Sequence, residues 1–307
     1  MQVALKIDVD THEGLKTGVP AMAAMLSREG VTASFYVAMG NDNSGKAIRR
    51  VITNRGFLTK MFRTRAVSMY GWRTILSGTL LKARPVAMAF PNLLRDLADR
   101  GFEVGVHGYD HVRWQDRIDE LGEPGIAQEL ADAFEVYRAI FEAHARGYAA
   151  PGWRANAISM RLVDRAGLLY HSDTRGSAPF LPQVDGKVLS TPEIPTTLPT
   201  LDEVLGRERL PNAAAVARFY LDRMDPARLN VHTVHAETEG IGQLESFTTL
   251  IRGLKDTGAE FVRLDTAAAR LDRESLPICP VVRATLPGRS GWIAAQGAPI
   301  SAHLEAR

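Results

Sequence analysis

The chain has 307 residues, of which 45% are hydrophobic and 23% charged, enough apolar material for a large core and too much for a disordered or fibrous protein. Its one cysteine, Cys279, excludes an intramolecular disulfide and any cysteine-rich metal cluster. The formal net charge of +2 hides a segregation: Asn43 to Arg95 holds eleven cations and no Asp or Glu, which leaves −9 on the remainder.

The opening run MQVALKIDVD places Lys6, Asp8 and Asp10 where a signal sequence would need its apolar core, so no secretory leader is expected. No apolar run approaches the ~18–20 residues of a membrane span. Val3 to Val9 alternates as a strand, with Leu5, Ile7 and Val9 on one face and Lys6, Asp8 and Asp10 on the other. A helix over Pro20–Glu29, stopped by Gly30, and a strand over Thr32–Met39 follow.

Next comes a basic insertion, at about 41–90. Its cations, among them Arg49, Arg50, Arg63 and Arg65, are interleaved with Phe57, Phe62, Tyr70 and Trp72. Such a segment suits an anionic surface, where each Lys or Arg contributes about 1 kcal/mol. A lipid headgroup is favoured over nucleic acid, for which no recognised binding motif is present. The competing reading is an arginine-rich insertion paired with acids elsewhere in the fold.

Beyond it, Pro91 opens a helix closed by Gly101, and Phe102–His107 is a strand. A long amphipathic helix over Ile126–Ala145 buries Leu130, Phe134, Tyr137 and Phe141. A helix over Ile158–Ala166 and strands near Leu168–His171 and Val188–Ile194 lead to the helix Ala213–Met224. The strand Leu229–Val234, the helix Leu244–Thr257 and the strand Glu260–Leu264 complete the alternation. Strands alternating with helices argue for an α/β fold with a parallel sheet, and seven or eight such units suit a closed barrel. The expected organisation is one barrel over residues 1–275 and an irregular tail over 276–307.

The chemistry concentrates at strand ends. His107 and His111 form an HxxxH pair in EVGVHGYDH, with a spacing that puts two imidazoles on one side of a helical turn. Asp8 and Asp10 also close a strand, and in a parallel barrel all such ends open at one mouth. One carboxylate and two imidazoles make an open site for a divalent ion; Zn, Co, Mn and Ni all suit that donor set. His232 and His235 lie at a third strand end, in NVHTVHAE. His12 and His171 read as a loop and a core residue, and His232 as structural.

In order along the chain, the aspartate pair, HxxxH, a loop AAPGWR, an Asp after a strand and a late strand ending in His resemble the NodB-type polysaccharide deacetylases, carbohydrate esterase family 4. KIDVDT, SMYGW, GWR, SDTRG, LPTLDEV and HAETEG resemble most closely its branch of lipid-linked formamido-arabinose deformylases. The resemblance implies a distorted (β/α)7 barrel and metal-dependent hydrolysis of a sugar amide. Asp10, His107 and His111 would hold the metal, Asp8 would be the general base and His235 the general acid. The substrate would be 4-deoxy-4-formamido-L-arabinose on undecaprenyl phosphate, met at the cytoplasmic face of a bacterial inner membrane during lipid A modification. Oligomeric state is not implied.

Two departures from the family pattern stand out. The aspartates are not adjacent, although period-2 spacing keeps them on one face. Ala149 stands where an arginine normally opens the Pro-containing loop, so Arg154 is expected to orient Asp8, with Asp173 or Arg175 in support and an amide of Gly152 or Trp153 at the oxyanion. Lys6 shares the face of Asp8 and could be its buried partner or snorkel to the surface. Alternative functions are a deacetylase of another carbohydrate and a catalytically silent lipid-binding barrel. The insertion and absent leader disfavour the first, and the retained chemical residues the second.

Overall fold

The computed structural model describes residues 1–45, 82–205, 207–289 and 291–300. Strand β1 (Gln2–Val9) is flanked by β2 (Ser34–Val37), β3 (Glu103–Val106), β4 (Gly147–Tyr148) and β5 (Tyr170–His171) on one side and by β8 (Leu229–His235) on the other. Strand β9 (Glu260–Phe261) pairs with the start of β1, below β2. All seven strands are parallel. The sheet curls into the expected distorted barrel, and the gap between β5 and β8 is bridged by extended chain: Ile194 N–H donates to His171 O at 2.9 Å and Thr197 N–H to Val231 O at 3.1 Å. This stretch was expected as a strand over Val188–Ile194. Pro192 and Pro195 lack the N–H groups for a continuous ladder, so single bridges replace it.

Helices α1 (Val19–Glu29), α2 (Pro91–Asp99), α3 (His111–Arg117), α4 (Gly122–Phe141) and α5 (Ala157–Arg165) follow the successive strands. After them come α6 (Leu201–Val204), α7 (Ala213–Leu221), α8 (Leu244–Asp256) and α9 (Leu264–Ala269). Helix α1 ends as its sequence predicts, on Gly30 in a left-handed conformation (φ 68°) that only glycine adopts without penalty.

Strand β1 is buried on both faces. Val3, Leu5, Ile7 and Val9 join the main core between sheet and helices, while Ala4, Lys6 and Asp8 face the barrel interior. That interior is polar. Gly105 and Gly147 leave room for the Tyr36 and Tyr170 rings, since a Cβ at either glycine would stand 2.7 Å from a ring atom. The two hydroxyls meet, Tyr170 donates to Glu103 at 2.6 Å, and Ser34 donates to the same carboxylate at 2.6 Å. Tyr36, Tyr170, Ser34 and Glu103 thus satisfy one another, as burial requires.

One expectation is corrected. The tail after Pro277 is not irregular: β10 (Ile278–Ala284) and β11 (Ile293–Gln296) form an antiparallel pair, and β10 extends a second sheet in the order β11-β10-β6-β7. Its other members, β6 (Leu181–Val184) and β7 (Lys187–Val188), are a hairpin after β5.

Most of the basic insertion lies outside the described residues, including Arg49, Arg50, Arg63, Arg65, Tyr70 and Trp72. Its two described flanks are zipped together where β2 ends. Asp42 N–H donates to Arg84 O, and Val86 N–H to Gly40 O, both at 2.8 Å. Met39 and Gly40 in turn bond Gly108 and Tyr109, so the insertion departs from the same end of the sheet as the HxxxH loop. Among the described residues no helix is long and apolar enough to cross a membrane.

Candidate active site

The C-terminal ends of β1, β3 and β8 bring the predicted residues to one mouth. Asp8 and His235 are register partners across the β1–β8 pair. Asp10 follows β1, His107 follows β3, and His111 opens α3, so the HxxxH pair spans a strand end and a helix start rather than one helical turn. Asp110 caps α3 by accepting from Arg113 N–H at 3.0 Å.

Asp10, His107 and His111 converge. Asp10 Oδ1 lies 3.3 Å from His107 Nε2 and its Oδ2 lies 3.4 Å from His111 Nε2. Burial would raise the Asp10 carboxyl pKa, but the two histidines outweigh it and hold the group far below the usual range. Burial, only partly opposed by Asp10, pushes the His111 imidazole down, toward the neutral form a metal needs. His107 Nδ1 lies 2.8 Å from Ala149 O, which makes Nδ1 the donor and leaves Nε2, on the side of Asp10, as the atom for a metal. Asp10 Oδ1 is buried without a hydrogen-bond partner. The donor atoms of these three residues lie within 4.8 Å of one another, and the set fits a divalent ion.

Asp8 is 2% exposed, and its Oδ2 accepts from Lys6 Nζ at 3.1 Å. Its Oδ1 is buried and unpartnered. Lys6, at 0% exposure, lies over the Trp153 and Tyr36 rings at 5.2 and 5.5 Å. The cation at Asp8 is therefore Lys6. Arg154, expected in that role, instead stacks on Trp292 at 4.6 Å from the ring centre, and its carbonyl accepts from Trp114 Nε1. Asp173, expected in support, is buried, accepting from Ala150 N–H at 2.8 Å and lying 3.0 Å from His171 Nδ1. Asp173 thus anchors the loop whose Ala149 carbonyl orients His107. Of the two amides expected at an oxyanion, Trp153 N–H is already committed to Ala150 O at 3.1 Å.

His235 faces Asp8 from the next strand. Burial would lower its pKa, but Asp202, Asp10, Asp8 and Glu239 together raise it to about 9. Its Nδ1 lies 3.9 Å from Asp202 Oδ1, leaving Nε2 free to serve the mouth. Asp202 belongs to LPTLDEV, but nothing in its spacing ties it to His235. Two further carboxylates were not singled out by sequence. Glu237 Oε1 accepts from Asp10 N–H (2.9 Å) and from Thr11 N–H and Oγ1 (both 2.8 Å), fixing the turn that carries the metal carboxylate. Glu239 Oε2 accepts from His235 N–H at 2.8 Å. Both act on backbone, and the π-type turns that follow β1 and β8 meet at Gly18 and Gly240, where a Cβ on Gly18 would lie 2.0 Å from Ala236 O.

His171 is in the core as expected, and His232 is packed on Tyr220 with burial pushing its pKa down to about 3, whereas His12, expected in a loop, begins a helical turn and contacts Pro85 O.

Comparisons with known proteins bear on the family and the fold. The polysaccharide deacetylase family model matches residues 2–171. A protein of Shewanella sediminis named probable 4-deoxy-4-formamido-L-arabinose-phosphoundecaprenol deformylase ArnD is 32% identical over 302 residues, covering 98% of this chain and 96% of that one. A protein of the same name from Wigglesworthia glossinidia brevipalpis is 32% identical over 287 residues, covering 92% and 98%. A solved Mycobacterium smegmatis structure described as a polysaccharide deacetylase superposes with a TM-score of 0.63 at 19% identity, over 93% of this chain and 94% of that one. The Bc1960 peptidoglycan N-acetylglucosamine deacetylase superposes with a TM-score of 0.53 at 14% identity, over 86% of each chain.

Proposed function

From the premise that this chain belongs to the polysaccharide deacetylase family, we propose that it hydrolyses the formamide of 4-deoxy-4-formamido-L-arabinose linked to undecaprenyl phosphate. It is a hydrolase of amide bonds, and the products are formate and the 4-amino sugar lipid. The observation that carries the reading is Asp8: a buried carboxylate with one oxygen held by Lys6 and the other unpartnered, set across one strand pair from His235.

An amide is a poor electrophile with a poor leaving group, so both ends need help. Asp10, His107 and His111 would hold a divalent ion, which would supply Lewis acidity at the formyl oxygen and ease deprotonation of water. Asp8 Oδ1 takes the proton of the attacking water, and Lys6 keeps Oδ2 from rotating into its place. As the C–N bond breaks, protonated His235 delivers its proton to the departing nitrogen. Formate leaves with the water oxygen, and the amine takes up the second proton.

The insertion's cations and aromatics suit peripheral binding to the anionic cytoplasmic face of a bacterial inner membrane, where a polyprenyl-phosphate sugar resides. The test is formate and acetate release from matched formamido- and acetamido-arabinose phospholipids, with and without chelator. Chelator-sensitive formate release with little acetate is expected. Acetate release at a comparable rate would make this a general deacetylase, and release of neither would leave a binding barrel.

A further inference from the structure

The C-terminal sheet lays a loop across the rim that the steps above do not use. Between β10 and β11, Gly288 (φ 89°) lies against α6, where a Cβ would stand 2.4 Å from Glu203 O. Gly291 (φ 76°) lies against the Arg154 guanidinium, where a Cβ would stand 2.1 Å from Nη2. Both positions have the left-handed backbone that favours glycine, and at Gly288 the approach to a backbone carbonyl also excludes a Cβ. The loop so placed carries Arg289 and leads into Trp292.

Arg289 stacks on Trp153 at 4.4 Å, and Lys6, the partner of Asp8, lies over the same indole at 5.2 Å. One ring therefore touches both the base's lysine and the loop's arginine. Farther out, Trp292 carries two guanidinium groups, Arg154 at 4.6 Å and Arg283 at 4.0 Å. Arg283 also lines a cleft of about 480 Å³, in which Ile158, Val184, Val281 and Val282 form apolar wall beside the polar Asn156 and Gln183. Val282 is exposed there.

Nearby acids pair with Arg283 and Arg289 but leave Arg154 without one. Glu203 is shared by Arg175 at 2.7 Å and Arg289 at 3.2 Å, Asp119 bonds Arg283 at 2.5 Å, and Asp185 in the cleft is taken by Arg161. Among the described residues the Arg154 side chain forms no ion pair, although Asp116 and Asp119 lie within its field. Burial, then Arg289, lowers its pKa, as expected for a cation crowded by cations.

We propose that Arg154, Arg283 and Arg289 form the seat of the phosphodiester of a prenyl-phosphate sugar, with its first isoprene units lying in the cleft along β10. This rests on the function proposed above and assigns the part of the substrate that Asp8 and His235 do not touch. A 4-formamido sugar carries its phosphate across the ring, so the anion must sit about one sugar width from the reacting amide. That is where Arg289 stands, one indole away from Lys6. Guanidinium forks match phosphate oxygens, and apolar chain follows the phosphate as the cleft follows Arg283.

The test uses the full metal-loaded chain on two formamido-arabinosides, a farnesyl phosphodiester and a methyl glycoside. Arg154→Gln or Arg283→Gln should lower the ratio of kcat/KM for the phosphodiester to that for the glycoside about tenfold, mostly through KM, with Arg154→Lys in between. An equal loss on both substrates, or no loss on the phosphodiester, would overturn the seat. Calorimetric titration with farnesyl phosphate, farnesol and inorganic phosphate reads the same site without turnover. Binding of farnesyl phosphate that is tighter than either fragment and is lost in Arg154→Gln supports the proposal even if neither formamide is hydrolysed, which would refute only the function above. Equal binding of inorganic phosphate would overturn the cleft's part, and no binding of farnesyl phosphate would overturn the whole.

Discussion

The pair formed by His235 and Asp202 makes the acid's working range a measurable property of one carboxylate. His235 must be protonated to release the amine, so activity should fall on the alkaline side as it deprotonates, near the raised value of about 9. At the 3.9 Å separation of Nδ1 and Oδ1, two unit charges in a medium of effective permittivity ~20 attract by about 4 kcal/mol. The Asp202 side chain is 40% exposed, so water screens much of that and leaves ~1–1.5 kcal/mol, equivalent to about one pKa unit. The sign follows: removing an anion that favours imidazolium lowers the histidine's pKa. Asp202→Asn should therefore move the alkaline limb of kcat/KM about one unit toward lower pH, with metal content unaltered because Asp202 is not among the three converging ligands. The assay is a pH series of formate release with metal-loaded protein. A limb that stays in place, or moves upward, would refute the assignment of Asp202 to His235 and of His235 to the acid.

Other substitutions separate the remaining roles. Asp8→Asn should keep fold and metal while turnover falls by ~10²–10⁴-fold, and near-native activity would remove Asp8 as the base. His107→Ala should abolish stoichiometric metal binding measured on the dialysed protein; undiminished metal would sink its assignment as a ligand. Lys6→Met leaves a buried carboxylate without its cation, a change that costs about 3–5 kcal/mol in comparable buried pairs. It should lower kcat far more than it changes KM, and equal effects on both would argue against a positioning role. Replacing Arg49, Arg50, Arg63 and Arg65 together by Gln should weaken sedimentation with anionic vesicles at low salt; binding insensitive to both charge and salt would contradict the membrane reading.

What could be read from the sequence follows from how locally each feature is encoded. Asp8, Asp10, His107 and His235 were legible because each sits at or just after a strand end, where parallel strands come together whatever the register, and His111 because the HxxxH spacing ties it to His107. Strand β10 was not legible. Its partners Leu181 to Gln183 lie almost a hundred residues upstream, its burial does not alternate, and Pro280 reads as a breaker. Yet Pro280 is tolerated because its carbonyl still accepts from Gly297. Asp202 and the acids of HAETEG were missed for a related reason: a four-residue helix and a π-type turn are too short to show periodicity.

The choice between Lys6 and Arg154 at Asp8 shows how a family pattern and a local rule can disagree. The pattern places a cation on the loop after β4, and Arg154 is the arginine that this loop carries. The local rule is simpler. In a strand, residues two apart share a face and rise about 6.6 Å, a separation a lysine side chain can span by leaning along the strand. Lys6 needs no loop to reach Asp8, and burial on both faces of β1 leaves its ammonium no route to water, so the snorkelling alternative fails. Arg154 is thereby released from the base, and its guanidinium is available at the rim beside Trp292, where a second part of the substrate can be held.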